Sequence, residues 1–130
     1  MSIEDLRSYV EQRQIYITEV GNILKTDIPK DQAEVMKEHL LDILSHRSTM
    51  STILAKLEMF LDLALAEMLP MKEKGETDLD RKYKLDAKVA EYRYWRNLIN
   101  GLLDTIDRQA SAMQSLLSFE KKHLTQIGEA

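Results

Sequence analysis

Apolar residues recur along this chain in alternating steps of three and four, the spacing that places them on one face of a helix. Between Ile3 and Lys25 they fall at Leu6, Val10, Ile17, Val20 and Leu24; Arg13 interrupts the stripe, and Tyr9 and Tyr16 flank it. A second stripe runs through Met36, Leu40, Ile43, Arg47, Met50, Leu54, Leu57, Leu61, Ala64 and Met68. One charged member in so long a heptad series still reads as a coiled-coil seam. The third stripe is Leu85, Val89, Tyr92, Trp95, Ile99, Leu103, Ile106, Ala110, Met113 and Leu117. Thr26-Asp27-Ile28-Pro29 separates the first two; Asp27 is placed to cap the second helix, and proline is tolerated in a first turn. Pro70 and the polar run Met71–Asp78 separate the last two. The pattern predicts helices over about 3–25, 29–69 and 86–123, the last starting somewhere between Leu79 and Ala87, with a polar loop over about 70–85. No strand-like alternation competes. The expected fold is all-α: one helical domain made of a long coiled-coil-like hairpin with a shorter N-terminal helix against it.

A helix of about 40 residues is a rod of roughly 60 Å, too long for a compact chain of 130 residues to cover. Met59, Phe60, Leu63, Leu98, Leu102 and Leu116 flank the seams, so further apolar surface needs a partner. Assembly into a homo-oligomer follows as an expectation. Arg47, a charge in a seam, suits a register-fixing role in such an assembly. The small residues Gly101, Ala110, Ser111 and Ala112 mark places where another helix can approach.

Composition narrows the chemistry. The chain has no cysteine, which removes disulfides, thiolate metal sites and cysteine nucleophiles. His39, His46 and His123 do not form a metal site; the first two stand about 10 Å apart along a helix axis, and no acid–histidine motif accompanies them. The four glycines stand alone, so there is no phosphate loop, and no serine occupies a nucleophile elbow. Asp104, Asp107 and Arg108 read as an exposed helix face with an Asp104–Arg108 ion pair. No catalytic residue, metal or cofactor is expected. The start of the chain lacks the charge and apolar run of a signal peptide, and no run of about 18 apolar residues could cross a bilayer. A cytoplasmic protein without membrane contact is the expectation.

The formal net charge is −4, but it is unevenly spread. Residues 1–69 carry seven bases against twelve acids, whereas Arg81–Arg96 carries six bases against two acids and four of the eight aromatic rings. Cations that can track phosphates, interleaved with rings on which bases can stack, are the components of a single-strand binding surface. Arg81, Lys82, Tyr83, Lys84, Lys88, Arg93, Tyr94 and Arg96 are the candidate nucleic-acid residues. Tyr92 and Trp95 fall on the seam and are assigned to the core. Lys56 is a further candidate, the one basic residue between Arg47 and Lys72, although on spacing alone a surface lysine paired with a nearby acid is the favoured account.

Several short segments carry a likeness: Ile3-Glu4-Asp5-Leu6 at the start, Ala55-Lys56-Leu57-Glu58-Met59-Phe60 in the long helix, Asp80-Arg81 in the polar loop, Tyr94-Trp95, and Leu103-Asp104-Thr105-Ile106. In these segments, and in length and order of elements, the chain resembles the phage recombination-mediator family of the UvsY type. The resemblance implies a ring of six or seven subunits that binds single-stranded DNA and helps a phage recombinase load in place of single-strand binding protein. It also implies a DNA-contacting pair of basic residues two apart in the long helix. Lys56 matches the second of the pair, but Leu54 stands at the first, and the acidic balance of the chain is another departure. The alternative is a coiled-coil assembly, adaptor or scaffold protein without nucleic-acid binding, whose basic segment docks an acidic partner.

Overall fold

Three helices build the protein: α1 (Ile3–Lys25), α2 (Ala33–Met68) and α3 (Asp78–Glu129). The computed structural model describes the backbone of residues 2–68 and 75–129, and the side chains of residues 2–68, 75–119 and 121. The fold is all-α, with no strand among the described residues. Leu69, Pro70 and residues 71–74 of the expected loop, and the side chain of His123, lie outside the described residues.

α1 starts at a reciprocal cap. Ser2 Oγ accepts from the Asp5 N–H at 3.4 Å, and Asp5 Oδ2 accepts from the Ser2 N–H at 2.8 Å; each satisfies a donor that the first turn leaves unpaired. At the other end the last carbonyls also find donors. Thr26 Oγ1 donates to Asn22 O, the Thr26 N–H donates to Ile23 O, and Gln109 Nε2 reaches across from α3 to donate to Leu24 O at 2.7 Å. Gln109 Oε1 is then left to accept from His39 Nε2 at 3.3 Å. One amide thus joins the end of α1 to α2 and α3.

The second helix begins four residues later than its sequence suggests. Asp27 does not cap it and Pro29 is not in its first turn. Instead the Pro29 carbonyl accepts from the Gln32 N–H, and the Gln32 carbonyl accepts the first helical bond, from Met36 N. The connection has to reverse the chain, and those extra residues make the turn while half-buried Ile28 anchors it against the core. The third helix begins earlier than expected, at Asp78, so Arg81–Leu85 is helix rather than loop. Thr77 caps it: Asp80 N donates to Thr77 Oγ1 at 3.1 Å and Arg81 N to Thr77 O at 3.0 Å, while Asp78 and Asp80 meet the positive end of the helix dipole. Gly75, with φ of 87°, supplies the left-handed residue that turns the chain into this cap.

α2 and α3 form the main interface, an antiparallel hairpin along which Met36, Ile43, Met50, Leu57 and Ala64 face Val89, Tyr92, Ile99, Leu103, Ile106 and Ala110 in one core. α1 fills the groove on one side of the hairpin. It runs parallel to α3, since Arg7 meets Glu91 and Leu24 meets Gln109, and antiparallel to α2, since Tyr9 meets Phe60 and Tyr16 meets His46. That cover explains why Ile53 and Phe60, outside the α2 seam, are buried. The offset between α1 and α3 is 84 to 85 residues, so the first two turns of α3 extend past the start of α1.

Two expectations change, one at a seam position and one at a small residue. Arg47 does not face inward. Its Nε and Nη2 donate to the two oxygens of Asp107 at 2.8 and 3.4 Å, an exposed fork joining α2 to α3 within one chain. Gly101 is exposed, with nothing near the place where a Cβ would stand; it is not a crossing point between these helices.

The Arg47 guanidinium holds the Asp107 carboxyl below the usual aspartate value. A depressed carboxylate contributes stability above its unfolded value and loses it as pH falls through the folded one. Asp107→Asn is therefore expected to melt slightly below the parent chain at neutral pH and together with it once both are taken below the aspartate range. Thermal melts across that pH series check it, and added salt should shrink the neutral-pH difference because the pair is exposed.

Candidate nucleic-acid interface

The basic–aromatic segment is continuous helix, which sorts its side chains by face. Val89 and Tyr92 are buried in the hairpin core, and Leu85 and Trp95 are half-buried at its margin. Burial pushes the Tyr92 hydroxyl above its ordinary value, with the Glu67 and Glu91 carboxylates adding to the shift, so this phenol stays neutral. Tyr83 and Tyr94 are 64% and 58% exposed. Eleven residues separate them, so they share the outer face about 16 Å apart, with exposed Ala87 and Ala90 between them. The Tyr94 ring is held edge-on to Trp95, with centroids 5.0 Å apart.

The charges of the segment cancel only in part. Asp86 accepts from Arg93 Nη1 at 2.9 Å. Glu91 is forked by Arg7 of α1, with contacts of 2.9 to 3.2 Å. Both of the segment's carboxylates are thus occupied, one of them by a cation from another helix. Lys84 Nζ lies 2.8 Å from Glu76 Oε1, and Arg96 donates twice to the Asn97 side-chain oxygen at 3.1 Å. Arg81, Lys82 and Lys88 have no acidic partner among the described residues. Lys82 and Lys88 are exposed and Arg81 is half-exposed.

Lys56 lies elsewhere. It is half-buried on the flank of α2 that faces α1, with Nζ 5.4 Å from the centre of the Phe60 ring rather than beside an acid. Phe60 packs against Tyr9 of α1 at 5.7 Å between centroids and 55° between planes. The Arg13 guanidinium lies 3.6 Å from the Tyr9 ring centre, and its Nη1 donates to Tyr9 O at 3.0 Å. Lys56–Phe60–Tyr9–Arg13 is therefore one ladder of cation, ring, ring and cation across α1 and α2. Arg13 and Tyr9 were not among the sequence-derived candidates. The signal was present, because a cation and a ring four residues apart share a helix face in both pairs. No hydrogen bond, ion pair or ring contact joins Lys56 to the α3 candidates.

The remaining polar groups serve the scaffold. His46 accepts from Tyr16 OH at Nδ1, 2.9 Å, and lies 3.3 Å from Asp42 at Nε2; one neutral tautomer, protonated at Nε2, satisfies both. The expected Asp104–Arg108 ion pair is absent, since Arg108 Nε points at the Asp104 backbone oxygen and Asp107 belongs to Arg47. Among the described residues no cluster of three or more metal-ligating side chains forms, and no helix is long and apolar enough to cross a membrane. A cleft of about 280 Å³ at the end of α1, lined by Leu24, Ile28, Met36 and Met113, has His39 and Gln109 as polar members. Their hydrogen bonds to each other and to Leu24 O hold them in the wall.

The chain matches no protein-family model, no curated protein and no solved structure.

Proposed function

We propose that this chain is a non-enzymatic, homo-oligomeric accessory of recombination that binds single-stranded DNA and assists loading of a strand-exchange recombinase in place of single-strand binding protein. One observation carries the reading: both carboxylates of the Arg81–Arg96 segment are occupied by arginines, while Arg81, Lys82 and Lys88, on the same helix as two exposed tyrosine rings, have no acidic partner among the described residues. Uncompensated cations attract phosphates, and a ring accepts any base because every base has a flat face. The binding this describes is indifferent to sequence, as a loading factor requires. The resemblance of the short segments to phage recombination mediators supports the same reading and adds the ring of six or seven subunits acting in the host-cell cytoplasm.

Exposed Met59, Leu63, Leu98 and Leu116 support self-association, and several copies of a weak site on one assembly give avidity that no single copy has. The same surface serves a coiled-coil adaptor equally well, so the DNA contact is what separates the two readings. Anisotropy of a labelled oligothymidylate across a salt series tests it. Binding is expected to weaken steeply, by about 0.7 logarithmic units per tenfold salt for each phosphate neutralised. Affinity independent of salt, or no shift of the oligonucleotide at all, overturns the proposal in favour of the adaptor. Sedimentation of the same samples is expected to give a species several times the 15.1 kDa chain mass.

A further inference from the structure

The cleft of about 280 Å³ at the end of α1 is bounded by all three helices and by the connection between α1 and α2. Its lining is largely core: Leu24, Met36 and Met113 are buried, and half-buried Ile28 comes from the connection. Two of these four are methionines, whose unbranched thioethers repack around ligands of different shape. The polar groups of the wall are already spent on the protein. Gln109 donates to Leu24 O at 2.7 Å and accepts from His39 Nε2 at 3.3 Å. That bridge fixes the wall before any ligand arrives, and a preformed cavity avoids part of the ordering cost of binding.

The charges of the cleft are at its rim. Lys25, Asp27 and Lys30 line it and are exposed, and none of the three side chains makes an ion pair or hydrogen bond among the described residues. Two ammoniums against one carboxylate leave a surplus of one positive charge beside an apolar interior. A monoanion matches that surplus. A phosphate monoester brings nearly two negative charges and meets the Asp27 carboxylate as well, so a single carboxylate is the better fit.

We infer that this cleft binds a small amphipathic monocarboxylate, with its apolar body on Leu24, Ile28, Met36 and Met113 and its carboxylate at Lys25 and Lys30. Size sets the limit on the body. At the packing density of a protein interior the space takes roughly ten non-hydrogen atoms, a chain of about eight carbons or one substituted ring. A ligand seated there touches three helices and the connection at once, so it binds the folded chain and stabilises it by mass action. The site is separate from the basic segment of α3, because Gln109 lies about 20 Å beyond Arg96 along the helix axis. It does not rest on the nucleic-acid reading, and either can fail without the other.

The test is a titration of the full chain, isotope-labelled at the methionine methyls, with octanoate, octanol and acetate in turn. Octanoate is expected to shift the Met36 and Met113 methyl resonances saturably and to raise the melting temperature. Acetate, which has the charge without the body, should do neither. Octanol, which has the body without the charge, should bind about fivefold more weakly than octanoate. The variant Lys25→Gln/Lys30→Gln should lose about the same factor for octanoate and none for octanol; both lysines are exposed, so the fold is not at stake. Ala112→Trp places a large side chain at an exposed position in the lining and should abolish binding of both while the helical content stays parental. Met36 and Met113 methyls that stay put up to millimolar octanoate, or an Ala112→Trp chain that binds octanoate as the parent does, would overturn the site. Equal affinity for octanoate and octanol would overturn the assignment of a carboxylate.

Discussion

Replacing Arg81, Lys82 and Lys88 together by alanine is expected to weaken oligothymidylate binding roughly fifty-fold at physiological salt and to flatten the salt slope by about 2. The size follows from three uncompensated cations each releasing its share of counterions from a single strand. The variant is informative because the three side chains hold nothing else. None of them pairs with an acid among the described residues, none is in the core, and alanine is at least as good a helix former as lysine or arginine. Helical content and sedimentation should therefore be unchanged. Lys37→Ala is the matched control: it also removes a positive charge, but one that sits 3.4 Å from Glu34 near the start of α2, and it should leave binding nearly as it was. Equal affinity for the triple variant and the parent would remove the α3 segment from DNA contact and leave its charge to an acidic protein partner.

The largest expected effect on stability comes from Leu57→Ala. Leu57 is 1% exposed in the middle of α2, inside the core shared by all three helices. Truncation removes the transfer free energy of the lost methyl groups and leaves a cavity that neighbours on long helices can only partly fill, for a loss of about 2–5 kcal/mol. Leu41, on the same helix but 69% exposed, provides the contrast; Leu41→Ala should stay within about 0.5 kcal/mol. Urea unfolding of both variants at one protein concentration makes the comparison, since self-association would otherwise enter the midpoint. A Leu57 variant as stable as the parent would mean that the hairpin core described here is not the one that holds the chain together.

The stripes could be read from the sequence because burial on a long helix has a period. Every apolar position assigned to the α1 seam is buried, and so are most of those assigned to α2 and α3. The start of α3 was hidden by composition. A polar, charged run looks like a loop, and the signal that overrides it is the Thr77 cap followed by acids in the first turn, a local pattern rather than an apolar one. The start of α2 was hidden by the opposite error, since Asp27 and Pro29 offer good capping chemistry that the chain uses for a reversal instead. Arg47 looked like a buried register device only because its position falls on the stripe; a long side chain can leave that stripe for an acid on the neighbouring helix.

For the candidate interface the division is sharper. The run of bases and rings from Arg81 to Arg96 is plain in the sequence, as are the couples Tyr9 with Arg13 and Lys56 with Phe60, because residues four apart share a face on any helix. Which of those charges remain uncompensated depended on partners far away in the chain. Arg7 reaches Glu91 across 84 residues, and Arg47 reaches Asp107 across 60. Joining the two cation–ring couples into one ladder likewise depended on α1 lying along α2. Helical periodicity is a local property of the backbone and is written into the order of residues. Charge compensation acts between side chains through a few ångströms of space, and only packing decides which ones come that close.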